Sequence, residues 1–566
     1  MFKNRAGLRN RILSLAVAGA LGVAGTAIAA VPVGGQFRVL TQATQLSRGD
    51  TVRNTVPLNK PIRISVALKL RNDAQVKNFL ANVATPGAPR VMSQAQLQNH
   101  LPTQAQAQAV ADYLKHAGFG NVTISSNRMI VHATGSAAAV QSAFQTSLVS
   151  VRTHDDRNAF ANNSPIKIPA ALHDIVQAVL GLQTVHKAHT LARPMAGGTV
   201  GVIGHSPLDF PHIYDASSLP AANRVDVAIV GWGSMASTLD DLKAFTNANG
   251  LKKVKTMVVC TDTNGIDFNT GAGLGGTTIG DPTCNGNFDQ GSLEWDLDSQ
   301  DIIGMTGGVK SMTFYAAYGA YNTTITDAIN EAVTPTVGEP RAQVVNQSFG
   351  ECERFEDINQ GGDGSAQADD ALYQLGALQG QTFTASTGDS GANNCSFGNP
   401  LDSASYPASS PWVVAVSGTT LRASHTTWAR ENVWIDSGGS PSSFEKAQSW
   451  QAPLTYGPFA GQRGPDVAFD ANPNSGAIIN YAGGLAQVGG TSLAAPLFAG
   501  AWARILQGNE ALGFAAPHLY ALPKRDLHDI RSGNNGYYIA RPGWDWASGL
   551  GSFEVAPAAR ALGASK

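Results

Sequence analysis

A serine ahead of an apolar run is the strongest chemical signal in the sequence. The octet GGTSLAAP at 489–496 is followed by a mainly apolar run at 497–506. Its small residues let the backbone turn sharply, so Ser492 is expected at the N-terminus of a buried helix. The unpaired N–H groups and the dipole there favour developing negative charge, which suits a nucleophile. For the three letters GTS alone, an ordinary serine helix cap is the alternative.

Two carboxylates four residues apart could supply the base. In the segment EWDLD, residues 294–298, a helix places Glu294 and Asp298 on one face, whereas Asp296 points away. Stacked carboxyl groups repel each other when both are ionised, so the pair titrates as a unit and one member keeps its proton to higher pH. The pattern indicates acid chemistry. The alternative is a solvated acidic helix face.

Asp389 lies in a third polar motif, STGDSG at 386–391, at the end of a predicted strand. Ligand sites collect at the carboxyl ends of parallel strands. A protonated aspartic acid there can donate a hydrogen bond to the oxygen of a tetrahedral intermediate, and low pH keeps it protonated. A turn aspartate in a glycine-rich loop is the alternative.

Histidine, the usual base for a serine nucleophile, has no catalytic context here. None of the twelve histidines is followed by glycine. We interpret those in the C-terminal part as surface or linker residues: His205, His212, His425, His518 and His528. A serine nucleophile in this chain therefore needs another base.

Composition narrows the class of protein. The chain has 566 residues, 43% hydrophobic and 14% charged, with a formal net charge of −2. This length predicts more than one folded unit, and the composition excludes a disordered polymer. This slightly negative net charge argues against a nucleic-acid-binding protein. A surface with few charges also suits an acidic exterior.

The N-terminus is typical of an exported protein. Basic residues precede an apolar run at 12–24, and the small residues AIA follow at 27–29, which predicts a secretory signal over 1–29. No later stretch is long and apolar enough for a membrane anchor. In an oxidising compartment the four cysteines favour disulfides, and the lack of a CxxC motif argues against zinc at them: Cys260, Cys284, Cys352 and Cys395.

Two different patterns of elements must position these residues. Near the N-terminus, alternation over 62–70 predicts a strand with one buried face, and helices and short strands follow up to about 150. Such an order builds a small antiparallel α+β sandwich. From about 165 to 211 the sequence becomes irregular, as expected of a linker. Beyond it, apolar strands alternate with helices, which predicts a mostly parallel sheet covered on both faces.

Taken together, these motifs resemble the sedolisin family of serine-carboxyl peptidases, a subtilisin-like group in which glutamate replaces histidine. The resemblance is carried by ExxxD at 294–298, SxGxxE at 348–353, STGDSG at 386–391, YPASSP at 406–411 and GTSxAAP at 490–496. It implies a subtilisin-like α/β catalytic domain behind a ferredoxin-like α+β prodomain. The implied division is a signal at 1–29, a prodomain at 30–190, a linker or activation region at 191–211 and a catalytic domain at 212–566.

The resemblance also implies roles for residues. Ser492 would be the nucleophile of a self-processing endopeptidase, Glu294 its general base, Asp298 the partner that orients the base, and Asp389 the carboxyl group at the oxyanion. The substrates would be proteins and peptides. The prodomain would act as intramolecular inhibitor and chaperone on an extracellular monomer with no nucleic-acid or membrane partner.

A structural calcium ion is the implied cofactor, held near the C-terminus by the segments LHDIRSG and PGWD. Calcium prefers several oxygen ligands. The implied ligands are the side chains of Asp529 and Asp545 and the carbonyl groups of Ile530, Arg541 and Gly543. Arg541 replaces a more usual glycine.

Position along the chain favours the disulfides Cys260–Cys284, just before Glu294, and Cys352–Cys395, around the strand that leads to Asp389. Two other functions stay open. One is a histidine-based subtilisin-like hydrolase, and the other is a secreted, catalytically inactive binding protein on a peptidase scaffold.

Overall fold

The computed structural model describes residues 36–196, 202–261, 277–284, 289–336, 338–395 and 403–564. The predicted signal at 1–29 lies outside these residues. In the N-terminal part, the strands β1 to β9 are Phe37–Thr41, Thr51–Thr55, Pro61–Leu68, Gly120–Ile124, Ile130–Ser136, Leu148–Arg152, Asn158–Asn162, Ile166–Pro169 and Val176–Leu180. The helices α1 to α4 are Asp73–Ala81, Gln94–Leu97, Gln104–His116 and Ala137–Phe144.

A four-stranded antiparallel sheet organises this N-terminal unit. Its strand order is β4-β5-β3-β9, with α3 between β3 and β4 and α4 between β5 and β9. A βαββαβ chain in this order is the ferredoxin-like arrangement. The prediction of a ferredoxin-like α+β unit is confirmed.

Strand β3 is buried on both faces, whereas its alternation predicted one. Ile62 and Ile64 belong to the core beneath α3 and α4. On the other face, Arg63 forms an ion pair of 2.7 Å with Asp327 of the large domain, and both side chains are at most 6% exposed. The polar residues that looked solvent-facing are therefore covered by the second domain.

The expected irregular linker from 165 to 211 is also partly wrong, because β8 and β9 lie within it. β9 pairs with β3 at the edge of the sheet. Four of its five residues are buried, so it lacks the alternation by which a half-buried strand is predicted.

The connecting segment and the large domain contain the remaining elements. Strands β10 to β26 are His189–Thr190, Arg193–Pro194, Ala222–Trp232, Thr256–Cys260, Thr278–Ile279, Val309–Ala317, Val344–Gln347, Phe349–Cys352, Thr382–Ser386, Ser405–Tyr406, Val413–Ala423, Trp428–Val433, Val467–Asp470, Ala477–Tyr481, Gly484–Gly489, Leu527–His528 and Ser552–Phe553; β10 and β11 lie in the connecting segment. Helices α5 to α12 are Phe210–Ile213, Ala236–Ala248, Ser292–Thr306, Asn322–Val333, Ser365–Leu378, Thr491–Gly508, Ala516–Leu519 and Val555–Ala561.

A nine-stranded sheet forms the centre of this domain. Its order is β14-β13-β15-β12-β16-β18-β20-β21, and β22 also pairs with β20. The pairs between β13 and β20 along this order are parallel, and only the terminal pairs β13–β14 and β20–β21 are antiparallel. Helices α7 and α10 pack together and contact β12, while α8 contacts β15 and α9. The predicted mostly parallel α/β sheet is confirmed.

Both predicted disulfides are present. Cys260–Cys284 connects the end of β13 to the loop before α7, and Cys352–Cys395 connects the end of β17 to the loop after β18. Each bond therefore fixes a loop beside a strand end. Within the described residues, no helix is long and apolar enough to cross a membrane.

The Arg63–Asp327 pair is predicted to stabilise the contact between the two domains. Arg63→Met would leave a buried carboxylate without its guanidinium, a loss of about 3–5 kcal/mol. Urea unfolding of the full chain at neutral pH, in a Ser492→Ala background, measures it. The control is Arg152→Met, whose partner Asp156 is 83% exposed, so its loss should stay below about 1 kcal/mol. Equal losses would contradict the prediction.

Candidate active site

Ser492 lies in the first turn of α10, as predicted. Gly490 precedes the helix with φ 99°, and a Cβ there would collide with the carbonyl oxygen of Leu191 and with Asp389. Only glycine fits this entry to the helix. Pro496 lies four residues after Ser492 and has no N–H for the Ser492 carbonyl group. The hydroxyl group of Ser348 approaches that carbonyl oxygen at 3.5 Å instead.

Helix α7 holds both predicted carboxylates in the interior. Glu294 and Asp298 are at most 1% exposed, so the alternative of a solvated acidic face is wrong. Asp296 points elsewhere, as predicted, toward Thr238 and Asp241 of α6. The one-turn spacing places Glu294 and Asp298 close enough for the Asp298 charge to act on Glu294.

Glu294 has one occupied and one open oxygen. Its Oε2 atom accepts hydrogen bonds of 2.7 Å from the backbone N–H groups of Leu191 and Ala192. Oε1 has no hydrogen bond from the described residues. Burial, followed by the charge of Asp298, raises the pKa of Glu294 well above its usual value, while Ser492 and the two N–H groups act to lower it.

The Ser492 hydroxyl group lies between Glu294 and Ser348. It influences the Glu294 carboxyl group, but the hydrogen bond that it donates here goes to the carbonyl oxygen of Ser348, at 3.4 Å. The side chain of Ser348 donates to Asp298 Oδ1 at 2.5 Å and accepts from Asn346. Burial raises the pKa of Asp298, and the hydrogen bonds from Ser348 and Asn346 oppose this shift.

Sequence reasoning missed the contacts of Ser348 and Asn346. Both residues lie at or just after the end of β16, at the carboxyl edge of the parallel sheet. The motif SxGxxE singled out Ser348, but it does not indicate that Ser348 contacts Asp298.

Asp389 contacts the residue before Ser492, at the start of α10. Its Oδ1 atom accepts hydrogen bonds of 2.8 Å from the N–H and hydroxyl groups of Thr491. Arg193 Nε is 3.3 Å from Oδ2. Burial raises the pKa of Asp389 to about 7, although Thr491 and Arg193 both act to lower it. The group is therefore a carboxylic acid below neutral pH.

Residues 189–194 cross this site as an extended segment, which the sequence did not predict. β10 pairs antiparallel with β17, and β11 pairs antiparallel with β24. Between these two pairings the backbone of Leu191 and Ala192 reaches Glu294. Main-chain groups make these contacts, so no side-chain pattern could have revealed them.

Histidine has no part in the hydrogen bonds described for Ser492. The interpretation of the C-terminal histidines as surface or linker residues is wrong for His205 and His518, which are 0% and 2% exposed. His518 is held through the Leu512 carbonyl group, whereas His425 is exposed, as expected.

The predicted calcium ligands converge at one pair of loops. Asp529 accepts from the N–H group of Gly543, and Asp545 accepts from that of Arg541. The carbonyl oxygens of Ile530, Arg541 and Gly543 accept no hydrogen bond from the residues that the structure describes. Two carboxylates and three free carbonyl groups are a donor set that fits a hard metal ion.

Comparison with known proteins identifies the family. The chain is 40% identical over 532 residues to sedolisin from Pseudomonas sp. (strain 101), a match that covers 87% of this chain and 86% of that protein. The chain belongs to the sedolisin family. Sedolisin-family relatives also include xanthomonalisin from Xanthomonas sp. (strain T-22), 39% identical over 88% of this chain; the chain spans 65% of its length.

Family models and a solved structure agree with this assignment. Residues 48–185 match the Pro-kumamolisin activation domain, and residues 297–520 match the Subtilase family. A structure of Pseudomonas sedolisin, a serine-carboxyl proteinase complexed with two molecules of pseudo-iodotyrostatin, has a TM-score of 0.56 and 39% identity, covering 64% of this chain and 98% of that chain. As a sedolisin-family protein, the chain is a serine-type peptidase with an activation domain.

In this sedolisin-family chain, the Asp389 carboxyl group is predicted to titrate near neutral pH. In the Ser492→Ala protein with ¹³C-labelled aspartate, the carboxyl resonance absent from Asp389→Asn should titrate at about 7. Arg193→Met removes a positive charge that favours the carboxylate, so the midpoint should move upward. Arg152→Met is the control and should leave it in place. Titration at the ordinary aspartate value would contradict the burial of this group.

Proposed function

We propose that the chain is an exported, acid-acting endopeptidase whose precursor cleaves itself, and that it hydrolyses peptide bonds through an acyl-enzyme on Ser492. The observation that supports this function is the burial of Glu294 and Asp298 beside Ser492. Their pKa values are raised, so the two groups together retain a proton in acid.

The hydrogen bonds indicate which carboxyl group carries this proton. Glu294 Oε2 accepts from two backbone N–H groups, and such bonds favour the ionised form. Asp298 Oδ2 has no hydrogen bond from the described residues, which leaves it a position for a proton shared with Glu294. Glu294 is then the base, and Asp298 holds it in place.

The reaction follows from these positions. Ser492 Oγ forms a bond to the carbonyl carbon of the substrate, and its proton passes to Glu294 Oε1. Protonated Asp389 and a backbone N–H group near Ser492 donate hydrogen bonds to the resulting oxyanion. When the C–N bond breaks, Glu294 returns the proton to the leaving amine. Water then attacks the acyl-enzyme by the same route, which releases the acid and restores Ser492.

The pH dependence follows from Asp389. Its pKa is raised to about 7, and the reactive form is the acid. Activity is therefore available below this value and is lost as the pH rises through it. Once Arg193 leaves the site, the pKa of Asp389 rises further, which favours the oxyanion donor in the processed enzyme.

We also propose the domain division predicted from the sequence, with a prodomain through residue 190 and processing within 191–211. The contacts between the segment 189–194 and Glu294 support an inhibitory prodomain, because this segment covers the carboxylate that the proposed reaction needs. Export through a signal at 1–29 and a monomeric enzyme remain predictions.

The proposed roles of the α7 carboxylates can be tested by proteolysis from about pH 2 to about pH 8. Glu294→Gln and Asp298→Asn should slow self-cleavage of the precursor at low pH by about 10² to 10⁴, because the proton acceptor or its partner is lost. Asp296→Asn is the matched control. It lies on the same helix but faces α6, so it should keep most of the activity.

Two outcomes would overturn this function. An alkaline optimum that survives Glu294→Gln but is lost in a histidine variant would favour a histidine-based hydrolase. The absence of proteolysis at every pH in the correctly folded, processed protein would favour an inactive binding protein on a peptidase scaffold.

Calcium is the metal that we propose for the C-terminal loops. Asp529 and Asp545 would hold it through carboxylates, with the carbonyl groups of Ile530, Arg541 and Gly543. Its role there is structural, since a cation that bridges two loops stabilises the folded state by binding it alone.

Calcium binding is predicted to raise thermal stability. At a hundredfold excess over Kd, Ca²⁺ should stabilise the parent by about 2.7 kcal/mol, and chelation should reverse this gain. Asp529→Ala should abolish the calcium-dependent shift in Tm. Asp112→Ala, which removes a half-exposed carboxylate elsewhere, is the control and should retain it. A shift of equal size in Asp529→Ala would rule out these ligands.

A further inference from the structure

A histidine–aspartate–histidine cluster lies apart from Ser492 and from the C-terminal loops. His205 forms an isolated bridge to Ala477 of β23, Asp209 lies just before α5, and His425 lies in the turn between β20 and β21. His425 Nδ1 is 2.7 Å from Asp209 Oδ2, and His205 Nδ1 is 3.9 Å from the same oxygen. One nitrogen or oxygen of each residue lies within 4.8 Å of the others.

His205 is the unexplained member of this cluster. Its side chain is fully buried, yet neither ring nitrogen has a hydrogen bond from the described residues. A buried polar group without a partner costs roughly 1–3 kcal/mol. Backbone hydrogen bonds with Gly476 and Ile478 fix the main chain of His205 at this position.

We propose that His205, Asp209 and His425 bind a divalent transition-metal ion, with Zn²⁺ as the expected occupant. Two imidazole nitrogens and one carboxylate oxygen are a ligand set that zinc accepts. His425 is 64% exposed, so its side chain can adjust, and the outward side of the ion is open to water as a fourth ligand. An ion supplies the buried ring with the partner that it lacks.

Hydrogen bonding within the cluster satisfies only two of its three members. The hydrogen bond between His425 and Asp209 accounts for those two residues without an ion. It leaves both nitrogens of His205 unpaired, whereas a metal ion would bind one of them.

Such an ion would fasten the start of the catalytic domain. His205 and Asp209 lie in the sequence-predicted linker, but His205 is paired with β23, and Asp209 contacts the β20–β21 turn through His425. Binding there would hold residues 205–209 on the domain after the chain is cut before them. The role is structural and shares no residue with the proposed catalytic site.

Isothermal titration of the full-length Ser492→Ala protein with ZnCl₂ tests this site. Excess Ca²⁺ is present throughout, so that hard-cation sites are filled. The parent should bind a single Zn²⁺ ion at the cluster, and His425→Ala should weaken that binding by about tenfold or more. Because His425 is exposed, this variant should fold like the parent. Asp209→Asn should weaken Zn²⁺ binding to a similar extent.

The control is His154→Ala. His154 is also an exposed histidine paired with an aspartate, 3.1 Å from Asp50. It does not belong to the group of His205, Asp209 and His425. It should bind Zn²⁺ like the parent, and Co²⁺ substitution should give the visible spectrum of a low-coordinate site in both. Absence of Zn²⁺ binding in the parent, or equal affinity in His425→Ala, would overturn the proposal.

Discussion

Removing three carboxyl groups from water is the constraint on which the site depends. Glu294, Asp298 and Asp389 are almost completely buried, and burial is the largest cause of the raised pKa of each. An imidazole base would lose its charge in such surroundings, whereas a carboxyl group gains a proton. The fold therefore buries three groups of one chemical type and gives each a different set of hydrogen bonds.

The surrounding framework fixes these hydrogen bonds. Helix α7 presents two carboxyl groups one turn apart, and the end of β16 brings Ser348 to Asp298. On α10, the missing N–H of Pro496 leaves the carbonyl group of Ser492 open to Ser348. Ser348 thus contacts both the carbonyl group of Ser492 and the side chain of Asp298. Helices and strand ends hold Glu294, Asp298 and Ser492 and bring Ser348 to them, as a preorganised site requires.

Local motifs explain what could be predicted from the sequence. Ser492, Glu294 and Asp389 stand in dense patterns of small or acidic residues whose geometry follows from helix period and strand ends. The second buried face of β3 could not be predicted, because Arg63 has the alternation of a solvent-facing residue and its partner lies 264 positions away. The burial of His205 is equally non-local, since β23 covers it.

The double-sided burial of β3 has a consequence for the timing of domain separation. While the two domains are joined, Arg63 and Asp327 neutralise each other away from water, and small residues such as Ala67 and Ala178 pack against Ala368. Once the connection is severed, departure hydrates both charges and exposes the residues of this sheet face that pack on the large domain. The freed N-terminal unit loses its packing contacts with the large domain, which favours its unfolding and digestion. Separation then becomes a one-way event, driven by consumption of the fragment rather than by weak rebinding.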